Sequence, residues 1–387
     1  MSHPLLALPA ALLAALLVTA CRAESPAAPR VPAASTVTEA TLQVTPIARG
    51  LEHPWSLAFL PDGRMLVTER PGRLRIVAAD GTISAPLAGV PEVFAQGQGG
   101  LLDVVLDPQF AGNQFVYLSY AEPGDDGAGT AVARGRFAGD RLEGTQVIFR
   151  QQPKLGSGAH FGSRLVFDRA GHLFVTSGDR MEWPNVQRLD RGQGKVFRIT
   201  ATDGAAPADN PFVARKDAIP QVWSYGHRNA QGAALHPGTG ELWETEHGAR
   251  GGDELNIVRA GRNYGWPENT LGVNYNGQPI GTGKGAAPGM EQPIHHWTPS
   301  IAPSGLAFYT ADRFPAWQGS LFVGALAHRK LVRLTLDGDK VVAEEHLLAD
   351  RGKRIREVRA GPDGYVYVLT DEADGELWRL GLAAPAQ

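Results

Sequence analysis

The chain has 387 residues, of which 43% are hydrophobic and 20% are charged, and its formal net charge is −3. The hydrophobic content excludes a mainly disordered chain, and the slight negative charge excludes a general nucleic-acid binder, which needs a basic face. The single cysteine excludes a disulfide framework and any Cys-rich metal site.

Residues 5–20 form an almost continuous apolar run that Pro9 interrupts, and the run is too short to span a membrane comfortably. It ends in Val-Thr-Ala-Cys at positions 18–21, which resembles the cleavage box of bacterial lipoproteins. We therefore predict a lipoprotein-type signal peptide over residues 1–21 and a periplasmic protein anchored to the outer membrane through lipid at Cys21. Ordinary secretory cleavage nearby, with Cys21 lost or free, is the alternative.

Residues 22–38 are rich in Pro, Ala and Ser, which is typical of a flexible tether. Beyond the tether, one pattern recurs six times: an alternating apolar strand, a turn with Asp, Pro or Gly, and a second apolar strand. Period-2 alternation with such turns predicts β-hairpins. The six copies occupy residues 55–68, 102–119, 164–176, 232–244, 305–324 and 358–369.

Most copies are followed by a further strand, and three or four strands per repeated unit are typical of a propeller blade. We predict an all-β protein, a six-bladed β-propeller of four-stranded antiparallel sheets over residues 39–382. A seventh blade in the poorly patterned stretches is the alternative. Residues 42–47 are expected to pair with the C-terminal strand, which would close the ring and remove the free sheet edges.

Several polar residues lie beside the predicted blade strands. His160 precedes the inner strand of the third unit and could be a general base or an ordinary hydrogen-bonded histidine. Asp179 closes the same hairpin, where it could orient a histidine or cap the turn. Arg354 and Arg356 would point to one side of a strand and form a fork for carboxylate groups, although a solvated edge strand gives the same pattern.

A second cluster is acidic. Glu246, Asp253 and Glu254 lie within nine residues in a Gly-rich loop. Such a loop suits a hard cation such as Ca²⁺, which takes carboxylate and main-chain oxygens. An acidic turn without metal is the alternative.

Taken together, these segments resemble the soluble sugar dehydrogenases that depend on pyrroloquinoline quinone (PQQ), and within them the bacterial aldose sugar dehydrogenases. The matching segments occur in the family's order over about residues 45–380. They include Gly-Gln-Gly-Gly-Leu-Leu at 97–102, His-Phe-Gly-Ser-Arg-Leu at 160–165, Ser-Tyr-Gly-His-Arg-Asn at 224–229, Asn-Tyr-Gly-Trp-Pro at 263–267 and Arg-Ile-Arg at 354–356.

The resemblance implies a six-bladed propeller that binds PQQ beside Ca²⁺ and oxidises the anomeric hydroxyl of an aldose to a lactone. Hydride would pass from the sugar C1 to the quinone with His160 as base, and the electrons would go on to a quinone or small redox carrier. The implied catalytic residues are His160, Asp179 and Arg228. The implied cofactor contacts are Gln98, His160, Arg228, Asn229, Arg354 and Arg356. The implied Ca²⁺ contacts are Glu246, His247, Gly248, Asp253, Glu254 and Tyr264, and the implied substrate contacts are Gln98, Gln187 and Trp297.

The chain departs from the family at one cofactor contact. Where the resemblance implies a lysine after the fifth unit, the sequence has Ala327, followed by His328, Arg329 and Lys330. Either one of these residues replaces the contact that the lysine makes with the quinone, or the affinity for the cofactor is weakened.

Two other functions stay open at this stage. A metal-dependent lactonase on a six-bladed propeller would need carboxylate and Asn ligands around the central channel, and Arg354 and Arg356 count against it. An anchored propeller that only binds carbohydrate or protein would tolerate loss of His160 and Arg228. We expect an aldose substrate, no nucleic-acid partner, membrane contact only through the anchor, and a monomer or homodimer.

Overall fold

The computed structural model describes residue 1 and residues 42–383. The predicted signal peptide over residues 1–21, the anchor at Cys21 and the tether over 22–38 therefore lie outside the described residues and stay predictions. Within the described region the single α-helix, α1 (Phe110–Asn113), is one turn long, and no helix there could serve as a membrane span.

The described residues form 23 strands, grouped in six antiparallel sheets that confirm the predicted blades. Blade 1 has β2 (Pro54–Phe59), β3 (Met65–Glu69) and β4 (Arg73–Val77). Blade 2 has β5 (Leu101–Leu106), β6 (Phe115–Gly124), β7 (Gly127–Phe137) and β8 (Leu142–Arg150). Blade 3 has β9 (Leu165–Phe167), β10 (His172–Ser177), β11 (Lys195–Thr200) and β12 (Val222–Tyr225). Blade 4 has β13 (Ala230–Leu235), β14 (Leu242–Glu246), β15 (Asp253–Val258) and β16 (His295–Trp297). Blade 5 has β17 (Pro303–Phe308), β18 (Leu321–Ala325), β19 (Lys330–Asp337) and β20 (Lys340–Leu347). Blade 6 has β21 (Ile355–Ala360), β22 (Val366–Thr370), β23 (Gly375–Leu382) and β1 (Leu42–Leu51).

Blade 1 differs from the other five because it has three strands. An isolated antiparallel bridge between Val77 and Ile83 stands where its fourth strand would run. The first strands of successive blades contact one another all the way round, from β2 through β5, β9, β13 and β17 to β21 and back to β2. These six strands therefore line the centre of a closed ring.

The ring closes through pairing of the two ends of the domain. Strand β1 runs antiparallel to β23, with Leu42 opposite Leu382 and Leu51 opposite Gly375. Blade 6 thus joins one strand from the beginning of the domain to three from its end, as the sequence predicts. Closure leaves neither end of the ring as a free sheet edge.

A repeated hydroxyl contact joins neighbouring blades near the centre. In four blades a Ser or Thr on the second strand donates a hydrogen bond to a carbonyl at the first strand of the next blade. The pairs are Thr68 to Leu102 (2.6 Å), Ser119 to Ser163 (2.5 Å), Thr176 to Ala230 (2.8 Å) and Thr245 to Ser304 (3.5 Å). In blade 5 the second strand has Gly324 facing this contact, and Ser304 instead donates to Ile355 over 2.7 Å.

A buried ionic cluster fills the middle of the ring. The guanidinium of Arg164 donates to Asp103 (3.1 Å) and to Glu357, and its carbon lies 4.3 Å from the centre of the Trp55 ring. Arg359 completes the cluster, with Nη2 3.2 Å from Asp103 and 3.4 Å from Glu357. Two arginines thus neutralise two carboxylates that blades 2 and 6 bring together. We call these residues the central cluster.

We expect Arg164→Met to lower the free energy of unfolding by about 3–5 kcal/mol, because it leaves two buried carboxylates with one cation. Urea denaturation followed by tryptophan fluorescence measures the change. The control is Arg215→Met, which removes an exposed pair with Asp217 and should cost less than about 1 kcal/mol. Equal effects of the two variants would show that the central cluster adds nothing to stability.

Candidate active site

One mouth of the ring opens into a cavity of about 490 Å³. It lies where the inner strands of blades 1, 4 and 6 begin, so Trp55, Gln231 and Arg356 reach it from three directions. Gln98 and His247 border the cavity from the loops between strands. A small cavity of about 10 Å³ lies on the other side of His247 and is also lined by Arg228. That volume is close to the minimum for one water molecule or ion.

His160 and Asp179 form a buried pair. Nδ1 of His160 is 2.7 Å from Oδ1 of Asp179, while the other carboxylate oxygen accepts a hydrogen bond from Trp266 Nε1 over 2.8 Å. Because a carboxylate only accepts, Nδ1 carries the proton and Nε2 keeps a free lone pair. The main-chain N–H of His160 donates to the side chain of Gln98 over 2.9 Å, which ties the pair to the wall of the large cavity. The arrangement is that of a general base with an orienting carboxylate.

The backbone around this pair needs small residues and unusual angles. His160 and Arg180 both have φ in the left-handed region, at 56° and 55°. A Cβ at Gly178 would lie 2.0 Å from the carbonyl oxygen of His160, and a Cβ at Gly162 would lie 2.9 Å from the nitrogen of Gly178. The His160 segment and the Asp179 turn therefore touch through their main chains, which only glycine permits.

Arg228 lines the small cavity, next to His247, which borders both cavities. Its main-chain N–H donates to Glu246, its Nη1 donates to the carbonyl of His247 over 3.1 Å, and its guanidinium carbon lies 5.2 Å from the Trp266 ring centre. Its buried Nε has no partner among the described residues. The next residue, Asn229, accepts a hydrogen bond from the N–H of Gly162 over 3.1 Å, and its side-chain nitrogen is likewise unpaired there.

The surroundings of His247 bring together three residues from distant parts of the sequence: His160, Arg228 and Arg356. Its Nε2 donates to the carbonyl of Pro303 over 2.7 Å. Burial lowers the pKa of His247 to about 3, and the charges of Arg228, His160 and Arg356 add to that effect. His247 is therefore neutral, and the three groups predicted from distant parts of the sequence share one neighbourhood.

Arg354, directly before β21, and Arg356, on that strand, both line the large cavity. Arg356 donates to Gln231 (2.7 Å) and to Asp371 (2.5 Å), and Nη2 of Arg354 lies 3.4 Å from Asp371. Burial opposes ionisation of Asp371, but the charge and hydrogen bond of Arg356, the hydrogen bond of His53 and the charge of Arg354 together outweigh it and hold the pKa of that carboxyl well below its usual range. Arg354 and Arg356 therefore already bind one carboxylate of the protein, that of Asp371.

A third arginine of the cavity was missed by the sequence analysis. Arg70 donates to the carbonyl of Gly97 over 2.5 Å, next to Gln98, and reaches the cavity from blade 1. Burial lowers the pKa of Arg356, and the charges of Arg354 and Arg70 add to that effect although Asp371 opposes it. The three guanidinium groups are thus close enough to repel one another.

An acidic cluster lies behind Arg228. Strands β14 and β15 pair so that Glu244 faces Asn256 and Glu246 faces Glu254, and Nδ2 of Asn256 donates to all three carboxylates over 3.1–3.3 Å. Burial and the charge of Glu246 raise the pKa of Glu244 to about 7 and that of Glu254 well above its usual range. His227 Nδ1 lies 3.3 Å from Glu246 and 3.4 Å from Glu244. We call Glu244, Glu246, Glu254 and Asn256 the acidic cluster.

The acidic cluster has the donor atoms of a cation site. Glu244 Oε2 and Asn256 Oδ1 are buried without a hydrogen-bond partner among the described residues, and such atoms are costly unless something binds them. Of the described residues, His227, Glu244 and Glu246 are the group whose ligand atoms all lie within 4.8 Å of one another. Oxygen donors of this kind suit Ca²⁺.

Two predicted residues have other surroundings. Asp253 accepts hydrogen bonds from the N–H groups of Gly248 (2.8 Å) and Ile301 (2.7 Å), and its carboxylate links two loops instead of joining the acidic cluster. Trp297, predicted on the substrate side, is buried in the core between blades 4 and 5 and donates to Glu344 over 3.0 Å. Trp297 does not line the cavity, because it lies on the outermost strand of its blade.

The remaining predicted residues lie near the site. Tyr264 borders the small cavity and stacks on His227 with ring centres 4.6 Å apart. Gln187 donates to the carbonyl of Trp266 over 2.7 Å. Ala327 lines the large cavity, but Lys330 turns away and bonds His346 over 2.9 Å. His328 and Arg329, the other two candidates to replace the missing lysine, are exposed and do not line the cavity.

Comparison with known proteins places this site in context. The family model for glucose/sorbosone dehydrogenase matches residues 51–379. The chain is 52% identical over 346 residues to the aldose sugar dehydrogenase YliI of Escherichia coli (strain K12), covering 88% of this chain and 93% of that protein. A crystal structure of a glucose dehydrogenase is 59% identical, with a TM-score of 0.85 over 88% of this chain and 99% of the other. The PQQ-bound aldose sugar dehydrogenase of Streptomyces coelicolor is 29% identical, with a TM-score of 0.73 over 89% of this chain and 99% of the other.

We expect Gly178→Ala to lower the free energy of unfolding by about 1–3 kcal/mol, because its Cβ meets the carbonyl of His160 and the backbone must shift. Gly156→Ala, in the segment before His160, is the control, since nothing lies within 4 Å of its Cβ position. Thermal and urea unfolding measure both. Equal stability of the two variants would contradict the close backbone contact.

Proposed function

Because the chain belongs to the glucose/sorbosone dehydrogenase family, we propose that it is a PQQ- and Ca²⁺-dependent aldose dehydrogenase. In this proposal it oxidises the anomeric hydroxyl of a sugar to a lactone. The observation that carries the proposal is that the His160–Asp179 pair is hydrogen-bonded to Gln98, in the wall of the cavity that three arginines line: Arg70, Arg354 and Arg356.

The cavity fits the cofactor in charge and size. PQQ carries three carboxylates and an ortho-quinone, so it needs several cations in a space shaped for a planar molecule. Three arginines line the cavity against the two carboxylates Asp371 and Glu372. Its volume of about 490 Å³ lies within the range of about 300–1,000 Å³ that holds small-molecule ligands. The unpaired Nε of Arg228 and amide nitrogen of Asn229 offer two further donors beside it.

The arginines would divide the binding of the cofactor carboxylates. Arg354 and Arg356 would bind a cofactor carboxylate while still contacting Asp371. Their hydrogen bonds to Asp371 would weaken when the cofactor carboxylate binds. We assign to Arg70 the position of the family lysine that Ala327 replaces, because Arg70 is the cavity cation outside blade 6. A guanidinium holds a carboxylate through two parallel hydrogen bonds, which suits this role.

The proton is handled by His160. When bound, PQQ supplies the electrophilic quinone carbon that accepts hydride from the sugar C1. Nε2 of His160 takes the proton of the anomeric hydroxyl, and Asp179 keeps Nδ1 protonated and stabilises the imidazolium that forms. Arg228 holds a fixed positive charge at the site, where negative charge develops on the quinone oxygen.

Calcium would bind beside Arg228. The resemblance implies that the loop of Glu246, His247 and Gly248 provides main-chain oxygens for the cofactor-site ion. The acidic cluster directly behind this loop offers unpaired oxygens of Glu244 and Asn256. A divalent cation there would let the buried carboxylates ionise, which burial otherwise opposes.

We expect apoprotein to bind PQQ in the presence of Ca²⁺ and then to reduce a redox dye with an aldose such as glucose. His160→Ala should lower kcat by about 10²–10⁴-fold while PQQ affinity stays nearly unchanged, because it removes the base and leaves the arginines. Arg356→Met should weaken PQQ binding by about 10-fold or more, through loss of a charged hydrogen bond. Absorbance titration and steady-state kinetics measure these effects.

Absence of PQQ binding to folded wild-type protein would overturn the proposal. Hydrolysis of a lactone without PQQ would then indicate the lactonase function. Sugar binding without turnover, retained in His160→Ala, would indicate a binding propeller.

We expect Ca²⁺ to raise the melting temperature of the apoprotein, and the double variant Glu244→Gln/Glu254→Gln to lose most of that rise, because two ligand charges are removed. Glu241→Gln, on the exposed turn of the same blade, is the control and should keep it. Calorimetric titration with CaCl₂ gives the affinities. Calcium binding that is unchanged in the double variant would place the ion elsewhere.

A further inference from the structure

Arg180, the residue after Asp179, is a fully buried cation without an acidic partner. Its side chain forms no ion pair among the described residues, and its Nε is unpaired there. The guanidinium carbon lies 3.5 Å from the centre of the Phe161 ring. Its two terminal nitrogens donate only to main-chain carbonyls, those of Ala128 (3.2 Å), Leu155 (3.5 Å), Ser157 and Ala159.

The other fully buried arginines of the described region are paired. Arg164 lies between Asp103 and Glu357, and Arg333 donates to Glu345 over 2.7–2.9 Å. Burial lowers the pKa of Arg180 to about 10 although the charge of nearby Asp179 opposes the shift, so Arg180 remains a cation at neutral pH. A buried cation with carbonyl partners alone is costly.

The carbonyls that Arg180 binds belong to the segment that ends at His160. Three of the four are alternate residues of that segment, at positions 155, 157 and 159. Apart from its terminal pairing with Ala128, the segment has few other hydrogen bonds. The main-chain N–H of Gln98 donates to the carbonyl of Gly158 over 2.7 Å, and the N–H of His160 donates to the side chain of Gln98 over 2.9 Å. Its last residue has a left-handed φ, a conformation that persists only where the surroundings enforce it.

We infer that Arg180 is a positioning residue that holds the main chain of the base. Asp179 holds the imidazole ring of His160, and Arg180 holds the segment from residue 155 to 159 that carries it. Both restraints, on the imidazole ring and on the main chain, thus come from consecutive residues of the turn after β10. Together they limit rotation of the ring and displacement of the segment. The catalytic meaning of this inference rests on the proposed function, but the clamp itself does not.

The first test needs no cofactor. Hydrogen–deuterium exchange of the apoprotein compares wild type with Arg180→Gln and with the control Arg333→Gln, which removes a buried arginine of blade 5. We expect faster exchange in Arg180→Gln at residues 155–163 and 178–182, by about 10-fold or more, with blade 5 unchanged. Arg333→Gln should show the reverse pattern. Unchanged exchange at 155–163 in folded Arg180→Gln would overturn the clamp.

The second test separates positioning from general stability. With PQQ and Ca²⁺ bound, Arg180→Gln should lower kcat by about 10²-fold, as a displacement of about 1 Å can, while aldose KM and PQQ affinity change less than about threefold. Arg180→Lys, which keeps the charge, should recover part of kcat. A loss confined to PQQ affinity, or no larger than that of Arg333→Gln, would show a structural role only.

Phe161→Leu covers the case in which Arg180→Gln does not fold. It removes the ring beneath the guanidinium and leaves the charge in place, so the same faster exchange and lower kcat are expected, though smaller. Unchanged exchange in Phe161→Leu and Arg180→Lys would overturn the inference. If wild type lacks PQQ activity while the exchange pattern holds, the proposed function fails and the clamp stands.

Discussion

The neutral ion cluster at the centre of the ring is the interaction on which the site depends. A six-bladed ring leaves a channel, and the inner strands must fill it with groups that satisfy one another. Here Arg164 from blade 3 meets Asp103 from blade 2 and Glu357 from blade 6. Asp103 and Glu357 lie within inner strands and Arg164 directly precedes one, and the Trp55 ring, which lines the cavity, lies against both Arg164 and Arg356. The cavity exists because the channel is blocked below it.

The mouth above this cluster has a different charge pattern. Three arginines reach it against two carboxylates, and the neutral His247 adds no charge. Arg354 and Arg356 repel each other, and Asp371 offsets part of that repulsion. A site kept under such mutual repulsion favours an anion with several carboxylates, because each carboxylate relieves a repulsion that folding created. The positive charge of the cavity arginines, fixed by the fold, thus favours binding of an anionic ligand.

The fold could be predicted from the sequence almost completely, because hairpin alternation and turn residues are local signals repeated in each blade. The sequence motifs singled out His160, Asp179, Arg354 and Arg356, and the structure shows the His160–Asp179 hydrogen bond and both arginines at the cavity. Arg70 and Arg180 were missed because each looks like an ordinary charged residue beside a turn, and only the fold reveals where it points. Glu244 was missed although its alternation with Glu246 on one strand was a usable signal. Trp297 was predicted on the substrate side but packs in the core between blades 4 and 5, because the sequence pattern of an aromatic residue in a loop-like stretch is the same whether the residue lines a cavity or packs in a core.

The pairing of β1 with β23 has a consequence for biogenesis. The strand that completes blade 6 is made first, and its partners are made last, more than 320 residues later. Until β23 has been synthesised, β1 has an unpaired edge and the ring cannot close. Folding to the native state therefore requires synthesis of the chain through β23. A product truncated before blade 6 would have five blades in an unclosed ring. Its two terminal blades would leave their faces uncovered, which would make it a substrate for quality-control proteases.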